Sequence, residues 1–598
     1  METIKIKKRE EIPAQYKWNP QDFYATNDLW KKDIELVESE IEALKELSGT
    51  LTTGEGILAC LNKYYYVFKI SIRTVVYAFV KHAEDTGASE AQAMLDTAEG
   101  LEIDLHAAAA FIKPEILTHD MSAIEGFIAS TPGLKLYTHY LNNILRTKDH
   151  VLSTEVEEVL ANAEDATKAA GDVYNMLLSS DLKFGSIKDE NGNMVEVTDG
   201  KYSSLLANPD RRVRKEAFET FWDSYAKLKN TFATLLSSSI KKDAFFAKTR
   251  KYASSLDAEL ADSNIPRSVY ESLIETVHEF LPVHHRYWAI RKKALGVEQL
   301  HIYDKSTPLT ADSDMKIPYE DAKKMVMESL APLGQEYLDM LKVGMESGWI
   351  DVYESEGKMN GGFCTAACDG HPYVLLNHED DFYSTLTLAH EMGHALHDYY
   401  TTQAQPVVYM GTPIFTAEVA STVNEIIMIK YFIEKADNPK TRAFLVEKAI
   451  TMMNDVMFRQ VMFAEFEMMT HRMEEEGETL TLEAIIEVYR GLNVKYFGPD
   501  MIIDEQLDME WAWIEHFYES FYVYQYATGY AAAAALANRI MSGEAGALEA
   551  YLDFLKAGDS DYPIEVLKKA GVDMSSPEPV RETMKMYENL VNELEKLL

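Results

Sequence analysis

The chain has 598 residues, and its 58 Lys and Arg against 97 Asp and Glu give a formal net charge of −39. So acidic a protein repels phosphate groups, which argues against nucleic-acid and anionic-membrane partners. With 47% hydrophobic and 26% charged residues, the composition is that of a folded globular protein. Three cysteines are too few for a disulfide framework, and no apolar leader or membrane span is visible. We therefore predict an unanchored cytoplasmic protein.

Helical periodicity dominates the chain and predicts a mainly α fold. Apolar residues recur at helical spacing in residues 28–49 and 211–250. A hairpin interrupts this pattern at residues 181–200, where Asn191-Gly192 is a typical turn between two short alternating strands. We place a domain boundary there, with an N-terminal helical region ending in the hairpin (1–200) and a longer C-terminal region (201–598) that carries the motif described next.

The segment TLTLAHEMGHALHDYY (385–400) contains the pattern H-E-x-x-H. On a helix, His390 and His394 lie about 40° apart around the axis and about 6 Å apart along it, so both imidazoles can bind one ion. Glu391 lies beside this pair and can hold a water without being a ligand. That arrangement is typical of zinc hydrolases, in which the metal polarises a carbonyl and a carboxylate takes the proton of the attacking water.

A catalytic zinc usually has a third protein ligand. Glu418 and Glu425 are the candidates, because both lie on a second predicted helix for which Thr416 would be the N-cap. Spacing favours Glu418 as the ligand and leaves Glu425 to accept the free N–H of a ligand histidine, although the reverse stays open.

Other candidate ligands fit less well. His397 follows His394 by one turn but lies two turns from His390, so we interpret it as a supporting or core histidine. The metzincin pattern is excluded, because His397 and Tyr400 stand where it requires glycine and histidine. Cys364 and Cys368 form C-x-x-x-C, but no second cysteine pair accompanies them, and we interpret them as free thiols.

The motif together with FTAEVASTVNE (415–425), HPYVLLNHEDDFYSTLTL before it and HFYESFYVYQYATGY after it resembles the thimet oligopeptidase class of zinc metallopeptidases, most closely the oligoendopeptidase F group. The resemblance covers nearly the whole chain. It implies a large helical, two-lobed body around a deep substrate channel, with a small β-sheet next to the zinc helix.

The resemblance also implies roles for individual residues. One Zn²⁺ would be held by His390, His394 and Glu418, with Glu391 as general base. A substrate-pairing edge strand would fall on Tyr373, Val374, Leu375, Leu376 and Asn377. Tyr526, His516 and Tyr522 would donate hydrogen bonds to the oxyanion, with Tyr530 as a further substrate contact. Tyr522, Tyr526 and Tyr530 recur every four residues and could share one helical face. The segment HFYESF departs from the glycine-rich loop of thimet oligopeptidase in having no glycine.

We therefore expect a zinc endopeptidase that hydrolyses short unstructured oligopeptides, with Glu391 assisting attack of a zinc-bound water. Two alternatives remain open at this stage. A zinc carboxypeptidase or peptidyl-dipeptidase could use the same motif on a similar helical body. A non-catalytic peptide-binding protein could retain the fold, although the intact Glu391 argues against it. The sequence leaves the oligomeric state and the cleavage-site preference undetermined.

Overall fold

The structure is a computed structural model that describes residues 6–310 and 315–598. The predicted mainly α fold is confirmed, since helices account for most of the described chain and the sheets have two or three short strands each. In the first half of the chain the helices are α1 (Asn27–Lys45), α2 (Gly54–Glu84), α3 (Ser89–Ala109), α4 (Ile112–Leu117), α5 (Met121–Ser130), α6 (Thr138–Arg146), α7 (Thr154–Thr167), α8 (Ala169–Met176), α9 (Asp199–Leu206), α10 (Arg211–Ala226), α11 (Lys229–Thr249), α12 (Ser255–Asp262), α13 (Arg267–Glu279) and α14 (Leu281–Leu295).

The second half continues in the same manner. Its helices are α15 (Tyr319–Ser329), α16 (Gly334–Glu346), α17 (Phe382–Ala404), α18 (Ile414–Ala417), α19 (Val419–Lys435), α20 (Pro439–Met453), α21 (Gln460–Glu475), α22 (Leu482–Phe497), α23 (Tyr524–Met541), α24 (Ala547–Leu555), α25 (Pro563–Lys569) and α26 (Glu578–Leu597). The strands are β1 (Ser186–Lys188), β2 (Met194–Glu196), β3 (Leu300–His301), β4 (Ile350–Asp351), β5 (Phe363–Thr365), β6 (Tyr373–Leu375) and β7 (Met501–Ile502). Among the described helices, none is both long and apolar enough to cross a membrane.

The described residues divide into two compact units, each assembled from three segments of the chain. Unit A comprises those of Met1–Asp149, Asp314–Tyr431 and Ala533–Val572; unit B comprises those of His150–Ser313, Phe432–Ala532 and Asp573–Leu598. This division differs from the predicted boundary at residue 200, because residues 150–200 pack with unit B. The order of elements along the sequence does not indicate that segments distant in the chain pack into the same unit.

Both units have apolar cores formed by helix faces. In unit A, α1, α2 and α3 pack together through fully buried residues such as Val37, Leu61 and Val67. In unit B, α10 packs on α9 and on the segment 505–513, and the buried Phe221 and Trp222 contact Tyr202 of α9 and Trp513. The predicted hairpin is confirmed in unit B, where β1 and β2 pair antiparallel and Gly192 adopts a φ of +86° in the turn.

A three-stranded sheet in unit A packs against α17, the helix of the H-E-x-x-H motif. The strand order is β4-β6-β5, with β6 parallel to β4 and antiparallel to β5. Because β6 lies in the centre, both of its edges are already paired. The prediction of a free edge at Tyr373 to Leu375 is therefore wrong; the run of apolar residues that suggested this strand reflects its complete burial.

Candidate metal centre

Helix α17 positions the two motif histidines and begins at a well-formed cap. The Asp381 carboxylate accepts the Ser384 N–H at 2.8 Å, which satisfies one of the free donors of the first turn. The helix is surrounded by α15, α16, α24 and the strands β5 and β6 of unit A. His390 and His394 lie one turn apart on its partly exposed face, while Glu391 and His397 are buried.

Gly393 brings the backbone of α19 unusually close to α17. A Cβ atom at Gly393 would lie only 2.5 Å from Cα of Ser421 and 2.9 Å from the Ala420 carbonyl oxygen. The contact is secured next to it, where the Asn424 amide donates to the Ala389 carbonyl at 2.9 Å. The H-E-x-x-H pattern places no requirement on the position of Gly393. A glycine inside a helix, where alanine is more stable by roughly 1 kcal/mol, is the signal that could have revealed this crossing.

Glu418 reaches the two histidines from the junction between α18 and α19. Its Oε2 lies 3.5 Å from His390 Nε2 and 3.4 Å from His394 Nε2. The prediction that Thr416 caps the second helix is wrong. Thr416 belongs to the short α18, and its hydroxyl donates backwards to the Pro413 carbonyl instead of accepting a helix N–H. The Ser421 hydroxyl holds Glu418 in place by donating to Oε2 at 3.1 Å.

The three side chains form what we call the metal cluster: His390, His394 and Glu418. One ligand atom from each lies within 4.8 Å of the others, and the two Nε2 atoms are 3.2 Å apart. Atoms bound tetrahedrally at about 2.0–2.1 Å from one ion are about 3.3–3.4 Å apart. The nitrogen and oxygen donors and their separations therefore fit Zn²⁺. Among the described residues this is the one such group, and neither His397 nor the cysteines belong to it.

Glu425 contacts the opposite side of the His390 ring. Its Oε1 lies 3.1 Å from His390 Nδ1, so Nδ1 donates to the carboxylate and Nε2 faces the cluster. Burial disfavours the imidazolium, but the hydrogen bond and charge of Glu425 outweigh this effect and raise the pKa of His390 to about 9. Burial also raises the pKa of Glu418, but the two imidazoles outweigh it and lower that pKa to about 2.

Glu391 lies beside the cluster without belonging to it. The residue is only 6% exposed, and burial raises the pKa of its carboxyl above the ordinary value, while His390 and His394 partly lower it. Its Oε1 is 3.5 Å from the place where a Cβ of Gly362 would sit. Glycine thus lets the backbone before β5 lie close to this carboxylate and to Thr387, a feature that the sequence alone did not reveal.

His397 and the two neighbouring cysteines, the other candidate ligands, lie outside the metal cluster. His397 is 3% exposed and packs against Phe554, and burial lowers its pKa to about 3, which keeps the ring neutral. The Cys364 thiol lies 3.8 Å from the Asp398 carboxylate on α17. Burial raises the pKa of both Cys364 and Cys368, which disfavours the thiolate forms that bind metals.

The candidate oxyanion residues lie in unit B and form what we call the ring cluster: His516, Tyr522 and Tyr526. The Tyr522 ring stacks on His516 with centroids 5.4 Å apart, and the Tyr526 hydroxyl is 3.4 Å from His516 Nε2. The prediction that Tyr522, Tyr526 and Tyr530 share one helical face is wrong for Tyr522, because α23 begins only at Tyr524. Tyr530 lies one turn after Tyr526 on α23 and is 8% exposed.

Four of the five residues predicted to bind substrate along β6 are buried, and the role of Asn377 stays a prediction. Tyr373, Val374, Leu375 and Leu376 are at most 1% exposed. The Leu376 N–H donates to the Asp351 carbonyl, which continues the pairing with β4. The Asn377 amide donates to the carbonyls of Met359 and Gly361, which fixes the segment that leads into β5.

The chain is similar to known peptidases over its whole length. It matches the family model described as Peptidase family M3 over residues 204–586 and the model described as Oligopeptidase F over residues 115–184. It is 41% identical to the oligopeptidase PepF of Bacillus subtilis, over 99% of this chain and 88% of that one. Identity to the group B oligopeptidase PepB of Streptococcus agalactiae is 36%, over 99% and 98% of the two chains.

A crystal structure shows the same likeness. The oligoendopeptidase-F of Enterococcus faecium matches with a TM-score of 0.76 and 36% identity, over 96% of this chain and 99% of that one. These similarities confirm the resemblance inferred from the motifs. The predicted boundary at residue 200 falls between the two regions that the family models match.

Proposed function

The chain belongs to peptidase family M3, a family of peptide-hydrolysing metallopeptidases, and from this premise we propose that it is a zinc-dependent endopeptidase acting on short unstructured oligopeptides. The observation that carries the proposal is the metal cluster, whose two nitrogens and one oxygen have the separations of zinc ligands and lie beside a buried glutamate. A Zn²⁺ held by His390, His394 and Glu418 would polarise the scissile carbonyl and acidify a water.

Glu391 is proposed as the general base and then the general acid. Its carboxylate takes a proton from the attacking water and later delivers that proton to the leaving amine. The buried position of Glu391 supports this role, since its raised pKa brings the proton affinity of the carboxylate closer to that of a group working near neutral pH. Gly362 brings the backbone at the start of β5 close to the Glu391 carboxylate, so a peptide bound along β5 would lie near this group.

We assign the substrate-pairing edge to β5 in place of β6. Among the described strands, β5 has β6 on one side and no strand on the other. It also begins directly after Gly362, beside Glu391. An extended peptide could therefore add to β5 through backbone hydrogen bonds, which require no particular side chain and suit a broad range of sequences.

Tyr526, together with His516 or Tyr522, is proposed to stabilise the oxyanion of the tetrahedral intermediate by hydrogen bonding. The resemblance to the family supports this assignment, and so does the proximity of the three rings to one another. A substrate contact at Tyr530 stays a prediction. We also propose short peptides as the partners and the cytoplasm as the location, in keeping with the strongly acidic composition and the few cysteines.

The proposal is tested by metal analysis and by a peptide blocked at both ends. We expect one zinc per chain in the purified protein, and cleavage of the blocked peptide at an internal bond that stops on chelation and returns with Zn²⁺. Glu418→Ala should lose the metal and the activity together. Cleavage of free-ended peptides alone would indicate an exopeptidase, and binding without cleavage would indicate a peptide-binding protein.

A further inference from the structure

The turn that precedes Tyr522 has a strained backbone. Phe521 adopts a φ of +57°, in the left-handed region that favours glycine and is rare for a bulky side chain. The residue is also 1% exposed, so solvent does not stabilise the turn. A backbone conformation of this kind persists only when its surroundings hold it in place.

Side chains of unit B hold this turn at two points. The Phe521 N–H donates to Glu467 Oε1 at 2.8 Å, and the Ser520 hydroxyl donates to the Asp243 carboxylate. The His471 ring packs against the Phe521 ring, with centroids 4.5 Å apart. Glu467 and His471 are one turn apart on α21, and Asp243 lies on α11, so two helices anchor the turn.

His471 connects these two anchors. Its Nδ1 donates to the Glu467 carbonyl at 2.8 Å, and its Nε2 lies 3.4 Å from Asp243 Oδ2. The ring orientation is therefore fixed from both sides. Glu467, Asp243 and His471 thus form one network under the turn, and the proposed reaction assigns no role to any of them.

Burial of the Glu467 carboxyl group in this position is unfavourable in free energy. The residue is 2% exposed, and burial raises the pKa of its carboxyl well above the ordinary value, which favours the neutral acid. An apolar residue would fill the space without this cost, but it could not accept the Phe521 N–H. The geometry thus indicates that the acceptor oxygen is the useful part of the side chain.

The next residue after the turn belongs to the ring cluster. The Tyr522 ring lies nearly parallel to His516, at an interplanar angle of 15°, and meets Tyr526 edge-on with centroids 5.4 Å apart. A rotation of the Phe521 backbone into an ordinary conformation would redirect Tyr522 and break the stack. The direction of Tyr522 therefore depends on the hydrogen bond to Glu467.

We propose that Glu467 is a positioning residue for peptide hydrolysis, which fixes the left-handed turn at Phe521 and so sets the Tyr522 ring against His516. The inference rests on the proposed function of the ring cluster. Two size-matched variants separate the acceptor from the rest of the side chain. Glu467→Gln keeps an oxygen that can accept the Phe521 N–H, whereas Glu467→Met removes the oxygen and keeps the length.

The first measurement is hydrogen exchange of the backbone amides in residues 516–524 of the full-length protein. We expect Glu467→Met to accelerate their exchange by about tenfold or more, and Glu467→Gln to leave it near the parent rate. Glu465→Met is the matched control, since Glu465 lies on the same helix but bonds to His278, Tyr496 and Lys495. Equal exchange in Glu467→Met and the parent protein would overturn the inference, whatever the activity.

The second measurement is the kinetics of cleavage of a blocked peptide. Glu467→Met should lower kcat by about tenfold with little change in KM, Glu467→Gln should retain most of kcat, and metal content should be unchanged in both. In a Tyr522→Phe, His516→Ala background, Glu467→Met should have almost no further effect.

Two further outcomes would count against the inference in distinguishable ways. Faster exchange with an unchanged kcat would show an anchored turn that does not serve the reaction, and it would leave the metal cluster and the proposed function intact. Full activity of the Tyr522→Phe, His516→Ala protein would remove the role of those rings from the proposed function, and with it anything for Glu467 to position.

Discussion

The metal cluster of unit A and the ring cluster of unit B obtain their geometry in different ways. The histidines of the metal cluster project from one regular helix, and Glu418 adjoins a second helix that crosses it at Gly393 in backbone contact. The ring cluster lies mostly before α23 begins, with His516 on a short 3₁₀ helix (Glu515–Tyr518) and Tyr522 after a left-handed residue. Helix packing thus shapes the first cluster, whereas buried polar side chains shape the second.

This difference determines what each cluster tolerates. The metal cluster depends on a crossing that leaves no room for a methyl group, so steric changes should disturb it most. The ring cluster depends on hydrogen bonds to a turn, so loss of an acceptor should disturb it most. The proposed function assigns a separate role to each cluster, so single substitutions can separate metal binding from turnover.

The largest effect is expected for Glu391→Gln. The amide cannot accept the proton of the attacking water, so kcat should fall by about 10³-fold or more while zinc remains bound. Metal analysis and single-turnover kinetics on the same sample measure both quantities. Glu434→Gln, an exposed residue of α19, is a control that should retain full turnover. Near-normal turnover of Glu391→Gln in a clean preparation would remove Glu391 from the mechanism.

The next effect is expected for Tyr526→Phe, which separates the two clusters. Loss of one hydrogen-bond donor to an oxyanion typically costs about 10²- to 10³-fold in kcat, and the metal cluster should keep its zinc. Tyr524→Phe is the matched control, because it removes the same hydroxyl from a tyrosine of α23 whose ring packs on Tyr270. If both variants lose activity equally, the loss is structural and Tyr526 has no special role.

The histidine pair of the metal cluster was predictable because helical spacing converts directly into geometry, and His390 and His394, four residues apart, needed only the assumption of a helix. Spacing left Glu418 and Glu425 both open as the third ligand, because Glu418 lies at the junction between α18 and α19, which the sequence pattern did not indicate. The edge strand was not predictable, because the central position of β6 and the edge position of β5 depend on which strands pair across the sheet. The discontinuous units, the Gly393 crossing and the Phe521 turn likewise arise from contacts distant in sequence.

A smaller effect is expected for Gly393→Ala, which tests whether the metal cluster depends on the close crossing of α17 and α19. The new methyl would overlap Ser421 and Ala420, so the helices must separate, at a cost of about 1–3 kcal/mol in the free energy of unfolding. Metal affinity should fall with it, since Glu418 lies on the displaced side. Gly411→Ala is the control, because no atom lies within 4 Å of its added Cβ. Unchanged thermal stability and zinc affinity of Gly393→Ala would refute the close crossing.

The smallest effect is expected for Glu425→Gln, and it depends on pH. In the metal-free protein the pKa of His390 is about 9, so at neutral pH a proton must leave before Nε2 can bind zinc. Zinc affinity of the parent protein should therefore rise by up to about tenfold per pH unit between about pH 6 and 8. Loss of the Glu425 carboxylate lowers the pKa of His390, so the variant should show a shallower slope.

The two consequences of Glu425→Gln have opposite signs. The neutral amide oxygen of the introduced glutamine is a weaker acceptor for the Nδ1–H than the carboxylate, which should weaken zinc binding by about tenfold above the pKa of His390. Below that pKa, His390 is protonated in a smaller fraction of the variant molecules, so zinc displaces fewer protons. This offsets part of the loss in zinc affinity. The deficit should accordingly shrink as pH falls, as measured by competition with a chelator at each pH. A deficit that stays constant over this range would show that Glu425 does not control the protonation of His390.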